Sequence, residues 1–212
     1  MAHVELNHDE QPIRLFKSNF LEFFTHISPI AIIIIWVPIV AICLWAGTIH
    51  PASSLLVIIL GYILGLFIWT FSEYILHRFV FHFKPKNSWQ EKIAFLFHGI
   101  HHAQPKVKTR LVMPPAASIP MALIFFGLFL LIFNVLLDAG QWMYPIFAGF
   151  LTGYIIYDLM HYATHHFRMR KGVWKKLKQF HMRHHYKHPD QLFGVSSPIW
   201  DYVFKTLPSE KK

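Results

Sequence analysis

The sequence predicts an all-α membrane protein, a four-helix transmembrane bundle with a helical cap on one end. Three observations carry that expectation. Of 212 residues, 54% are hydrophobic and 15% charged, far from the balance of an ordinary soluble domain. The fifty residues between Glu22 and Glu73 contain no Asp, Glu, Lys or Arg. All 20 Lys and Arg residues lie in three segments that four crossings would place on one side.

Residues 1–26 read as a polar N-terminal segment, with His3 and His8 solvated, and residues 27–212 as a single membrane domain. A break at Gly47-Thr-Ile-His-Pro-Ala-Ser-Ser54 divides the first apolar stretch into spans 27–46 and 55–76. Two more follow at 116–137 and 143–163. Each has the roughly twenty residues that a helix needs to cross about 30 Å of hydrocarbon. Pro29 and Pro38 are expected to kink the first helix, which neighbouring helices tolerate in a membrane. That first span is too long for a signal peptide's apolar region, and no cleavage site follows it. Cys43 lies within it and reads as a packing residue. His26 and His50 flank it and read as interfacial.

Between the second and third spans, residues 88–102 form an expected short amphipathic helix, with Trp89, Ile93, Leu96, Phe97 and Ile100 in a helical stripe. A further helix is expected over 174–186, and the mixed apolar and aromatic residues 194–204 are expected to cap the end of the bundle. No repeat or linker divides the chain.

Charge sets the orientation. Segments 1–26, 77–115 and 162–212 hold 2, 7 and 11 of the Lys and Arg residues, and the connections near His50 and Asp138 hold none. Basic loops stay in the cytoplasm, so a multi-pass protein with a cytoplasmic cap is expected, in a bacterial inner membrane or the endoplasmic reticulum. The net charge of +9 then reflects topology and contact with anionic lipid head groups. No nucleic-acid motif accompanies it.

Ten of the sixteen histidines fall into four clusters at or beyond the ends of apolar runs: His77-Arg-Phe-Val-Phe-His82, His98-Gly-Ile-His101-His102, His161-Tyr-Ala-Thr-His165 and His181-Met-Arg-His184-His185. Neutral imidazole is a ligand for first-row transition metals, and residues three and four apart share a helix face. His77 and His82 fit less well, because five residues of ideal helix turn them roughly 140° apart; one of them is expected where the helix ends or unwinds. Ten ligands exceed what one zinc takes, so two metal ions are expected. Iron is favoured because zinc has no accessible redox change, although zinc also binds such sites tightly and can occupy them in purified protein.

Glu73 and Asp158 lie in apolar helices on the histidine faces, four residues before His77 and three before His161. Charge there is costly and points to function; both are expected to accept an imidazole N–H behind the metal ligands, with an ion pair to Arg78 or a lysine as the bland alternative. His166 and His188 are adjacent to clusters and read as non-ligands. Tyr154 and Tyr157 read as packing residues, with lining of a substrate channel as the alternative.

These residues resemble the membrane-bound fatty acid hydroxylase and sterol desaturase superfamily, and within it the fatty acid 2-hydroxylases. The similarity rests on Glu73-Tyr-Ile-Leu-His-Arg-Phe-Val-Phe-His82, His98-Gly-Ile-His-His102, Tyr157-Asp-Leu-Met-His-Tyr-Ala-Thr-His165, His181-Met-Arg-His-His-Tyr186 and the ending Phe193-Gly-Val-Ser-Ser-Pro-Ile-Trp-Asp-Tyr-Val-Phe-Lys-Thr206. The resemblance implies that His77, His82, His98, His101, His102, His161, His165, His181, His184 and His185 are metal ligands, without saying which five serve which metal. It also implies an O2-dependent monooxygenase that hydroxylates a long-chain fatty acyl lipid, most simply at C2. Fungal and animal members carry a cytochrome b5 domain, for which 26 residues are too short. A separate electron donor is therefore expected, cytochrome b5-like or a ferredoxin with its reductase. Sterol or carotenoid hydroxylases and acyl desaturases share the histidine pattern. A metal transporter would place its site near the bilayer midplane, and a bis-histidine haem protein would leave the His-x-x-His-His doublets unexplained.

Overall fold

A computed structural model describes residues 11–209, and His3 and His8 fall outside that range. Every element among the described residues is helical. A five-residue helix α1 (Asn19–Phe23) precedes α2 (Pro29–Ile49) and α3 (Leu55–Ile75). Ser28 and Ser54 cap these two long helices by accepting the N–H groups of Ile30 and Val57, as N-cap hydroxyls do. Pro29 sits in the first turn of α2, where its missing N–H costs nothing. It opens the helix instead of kinking it, and Pro38 alone lies inside.

Beyond α3 the chain continues through a wide π turn, Leu76–Phe81. Helix α4 (Ser88–Ala94) runs through a second wide turn, Phe95–Gly99, into α5 (Ile100–Ala103). The third crossing is α6 (Pro115–Phe129), extended by a π segment at Leu130–Leu136, and the fourth is α7 (Gly140–His166). Helix α8 (Gly172–Tyr186) and the short α9 (Ile199–Val203) complete the cap. The stripe expected on residues 88–102 does not face inward as a whole: Ile100 is buried, whereas Trp89, Leu96 and Phe97 are exposed.

Among the described residues, four helices are long and apolar enough to cross a bilayer. Their arrangement inverts that of a water-soluble bundle. The span in α7 has the lowest mean hydropathy, 1.2 against 2.3 to 2.7 for the others, and is 72% buried, whereas none of the others exceeds 22%. Lipid is as apolar as leucine, so helices in a membrane associate through close packing and polar contacts, not hydrophobicity. The most polar helix therefore takes the centre, with α2 and α3 packed on it.

Two glycines permit that approach. A Cβ on Gly65 of α3 would lie 2.0 Å from the Ile146 carbonyl oxygen of α7, and one on Gly149 of α7 would lie 2.0 Å from the Tyr62 oxygen of α3. The backbones meet where any side chain would collide. Gly65→Val is expected to force the helices apart and cost at least the ~1–3 kcal/mol of overpacking, read as a lower midpoint of thermal unfolding in detergent. Gly127→Ala, at a position with open space, is expected to leave that midpoint unchanged.

Candidate metal centre

The histidines reach their places by helix phase. At 3.6 residues per turn, positions i and i+4 lie about 40° apart, while i+3 falls about 60° to the other side. One doublet can thus address two centres. His98 and His102 group with His77, His82 and His184; His181 and His185 group with His101, His161 and His165. Each His-x-x-His-His motif gives its i, i+4 pair to one set and its middle histidine to the other.

The wide turn after α3 removes the 140° difficulty. The His82 N–H donates to the His77 carbonyl five residues back, at 3.1 Å, and in such π geometry residues five apart stack over one another. His82 is also the residue at which the helix ends, with φ −103° and ψ 25°.

All ten imidazoles approach their neighbours through Nε2. In the first set His77–His98, His98–His102 and His82–His184 stand at 3.1, 3.0 and 3.0 Å. In the second, His101–His161, His101–His185, His165–His181 and His181–His185 stand at 2.8, 2.8, 2.8 and 3.1 Å. Each set's ligand atoms lie within 4.8 Å of one another, with nine rings buried and His165 partly so. Burial holds the imidazoles of the cap in their neutral form, and like charge from neighbouring rings adds to the effect; His184 is lowered to about 4. His77 Nδ1 donates to the Phe193 carbonyl at 2.5 Å and His184 Nδ1 to the Gln191 carbonyl at 2.7 Å. A carbonyl only accepts, so Nε2 of both rings carries a lone pair aimed at its set. With metal–nitrogen bonds of about 2.0–2.1 Å, ligands at right angles stand about 3 Å apart, as these do. The donor set fits two metal ions, and five nitrogens per ion exceed the four of a structural zinc.

The carboxylates act at one remove. Glu73 accepts the N–H groups of Val195 and Ser196 at 2.6 and 2.8 Å and the Ser196 hydroxyl. Asp158 accepts the Met113 N–H and, at 3.0 Å, the Tyr154 hydroxyl. Among the described residues, neither makes the expected bond to an imidazole and neither forms the alternative ion pair. Both hold backbone: Glu73 fixes the strand of chain just after Phe193, whose carbonyl orients His77.

Asp201 completes that loop and has no periodicity that would mark it in the sequence. Fully buried, it accepts the N–H groups of Phe193 and Gly194 at 2.9 and 2.8 Å and the Thr206 hydroxyl at 2.6 Å. Burial pushes its carboxyl above the usual range, opposed by these same donors.

The remaining described histidines lie outside both sets. His166 packs against Tyr162, with ring centroids at 4.7 Å. His26 meets Thr109 and Arg110. The His50 ring accepts the Ala52 N–H, and the His188 backbone bonds to Arg183.

An apolar cavity of about 320 Å³ opens onto both sets, through His98 of one and His101 and His161 of the other. Tyr157, Met113 and Leu111 line it, with Asp158 at its edge; Tyr154 lines a separate small cavity.

Because the sets are separate, His102→Ala and His185→Ala are each expected to lower metal content from two ions per chain towards one, with the double variant lower still. His166→Ala is expected to retain both. Elemental analysis of purified protein reads the difference.

A profile of the fatty acid hydroxylase family matches residues 62–206. A dihydroceramide fatty acyl 2-hydroxylase of Arabidopsis thaliana is 39% identical over 210 residues, covering 99% of this chain and 86% of that protein. The fatty acid 2-hydroxylase of Mus musculus is 36% identical over 238 residues, all of this chain and 63% of that one. Among solved structures, full-length scs7p, in which only the hydroxylase domain is visible, superposes with a TM-score of 0.83 at 33% identity, covering 96% of this chain and 77% of that one. With its helical architecture, its two histidine sets and this match over most of its length, the chain belongs to the fatty acid hydroxylase family.

Proposed function

We propose that this enzyme hydroxylates the acyl chain of a membrane lipid at C2, in sphingolipid or related lipid synthesis. The observation that carries the reading is the apolar cavity bounded by both histidine sets; an acyl chain is the natural guest of such a wall. C2 follows from the relatives, a dihydroceramide fatty acyl 2-hydroxylase and a fatty acid 2-hydroxylase.

His77, His82, His98, His102 and His184 hold one metal ion in this reading, and His101, His161, His165, His181 and His185 the other. Iron bound there would supply the redox chemistry for a hydroxylation in which one oxygen atom of O2 enters an acyl C–H bond and the other leaves as water, with two electrons and two protons consumed. The protein's own part is placement. Neutral imidazoles keep their lone pairs on the metals, the Phe193 and Gln191 carbonyls fix two of the rings, and Glu73, Asp158 and Asp201 hold the backbone that carries or borders them. The cavity walls exclude water and present one carbon of a featureless chain to the metals, so position of attack follows from how the chain lies. Electrons would come from a cytochrome b5-like protein or a ferredoxin with its reductase.

The metal cap faces the cytoplasm in this reading, since the segments sharing its side hold all 20 Lys and Arg residues and such segments stay inside. Cysteines introduced at Lys106 and Lys205 are expected to be labelled from the same, cytoplasmic side; labelling from opposite sides would contradict the topology.

Given O2, a reductase system and a long-chain acyl lipid, the iron-loaded enzyme is expected to yield a 2-hydroxyacyl product carrying one heavy atom from labelled O2. Mass spectrometry with the hydroxyl position assigned reads the result. A double bond in place of the hydroxyl would move the enzyme to the desaturases. A hydroxylated sterol or carotenoid with untouched acyl chains would overturn the substrate.

A further inference from the structure

The cavity beside the histidines has a wall that comes from outside the matched family range. Leu15, Phe16, Leu21, Phe24 and Thr25 all line it, whereas the family profile begins at residue 62. The sequence alone reads this stretch as part of a polar tail. In the structure it is a built surface, fastened at several points.

Glu22 is the central fastening. One carboxylate oxygen accepts the N–H groups of Leu15 and Phe16 at 2.9 and 2.8 Å, closing residues 15–22 into a loop. The other oxygen takes the guanidinium of Arg110, whose side chain is only 3% exposed. Further along, the Ile27 N–H donates to the Thr109 carbonyl at 2.9 Å. At the other end, the Gln104 side chain accepts the Ile13 N–H and donates to the Gln11 carbonyl, both at 2.8 Å. Gln104 and Arg110 lie between the His101-His102 pair and α6, so the same stretch that leaves the metal cap also grips this wall.

Helix α1 has two faces. Phe20 and Phe23 are 71% and 73% exposed, while Leu21 and Phe24 line the cavity and remain about half exposed, at 48% and 45%. Residues that border both the cavity and the outside stand at its mouth. The exposed phenylalanines sit just ahead of the first span, where apolar side chains on a short helix enter the lipid interface. The mouth therefore lies between the bilayer and the histidines.

We propose that residues 15–25 form the membrane-side wall of the acyl site, and that side-chain volume at Leu21 and Phe24 selects which acyl chains enter. Glu22 and Arg110 are positioning residues that hold this wall. The inference rests on the acyl hydroxylase reading. It follows physically because an acyl chain offers no polar handle along its length, so fit against the wall is the discrimination available to it, and one methylene of fit is worth about tenfold or more.

The test uses the full iron-loaded chain with an equimolar mixture of saturated acyl lipids of graded length. Leu21→Trp and Phe24→Trp are expected to shift relative kcat/KM towards shorter chains by about tenfold, and Leu21→Ala and Phe24→Ala towards longer ones, with wild-type metal content throughout. Glu22→Ala is expected to broaden the product distribution and raise KM more than it lowers kcat, with Glu22→Asp restoring part of the selectivity. Phe23→Ala, on the outer face, is expected to leave the distribution unchanged. In parallel, a diazirine-bearing acyl lipid is photolysed with the wild-type protein and the labelled peptides are mapped. Labelling within residues 15–25 supports the wall even where no hydroxylated product forms, in which case the reaction reading alone falls. Normal hydroxylation with labelling elsewhere and an unmoved chain-length distribution in all four variants at 21 and 24 would overturn the wall.

Discussion

Neutral imidazoles do not gather in a buried place unaided. Ten of them here bring Nε2 atoms to within 2.8–3.1 Å of their neighbours, and lone pairs at that distance repel unless a proton or a cation lies between. Two metal ions would resolve the conflict, and nearly every other feature of the cap serves the convergence. The i, i+4 pairs set two rings of each set on one helix face, the middle histidine of each doublet crosses to the opposite set, and the wide turn after α3 brings His77 and His82 over each other. Metal bound there would couple to folding of the cap, because the sets draw on the wide turns after α3 and α4 together with α5, α7 and α8.

The bundle beneath is organised around the same end. Its central helix α7 carries His161 and His165 at one terminus and Gly149 midway, where the α3 backbone comes close enough to exclude any side chain. A rigid α3–α7 pair holds two members of each histidine set in fixed relation, since His77 and His82 lie on the wide turn that continues α3 and His161 and His165 lie at the end of α7. The C-terminal loop is then tied down from two directions. Glu73 reaches it from α3 and Asp201 from α9, and the loop in turn presents the Phe193 carbonyl to His77.

Much of this was legible in the sequence because the signals are periodic. Apolar length marks the four crossings, basic residues mark one side, and spacing of three and four marks the histidine faces. The division of ligands between two sets was not legible, because i+3 and i+4 look equivalent as neighbours and differ only in the sense of rotation. The wide turn at Leu76–Phe81 was hidden for a related reason: no residue there breaks a helix, and only the misfit of a five-residue spacing hinted at it. Glu73 and Asp158 were recognised as costly charges, yet their partners are backbone amides, which carry no residue identity for a sequence to display. Asp201 and Glu22 follow no periodic pattern, although Asp201 falls within the Phe193–Thr206 ending. Each accepts backbone N–H groups of nearby non-helical chain, and Glu22 joins a segment whose polarity concealed its place at the cavity.

An apolar cavity that touches both histidine sets ties these parts to the proposed chemistry, which would bring metals, acyl chain and membrane to one place. Everything rests on two separate ions, each held by five imidazoles. Anomalous diffraction at the iron edge from crystals of iron-loaded protein tests that most directly. Two resolved peaks are expected, one among His77, His82, His98, His102 and His184 and one among His101, His161, His165, His181 and His185. A single peak shared by the ten, or a peak outside them, would contradict it.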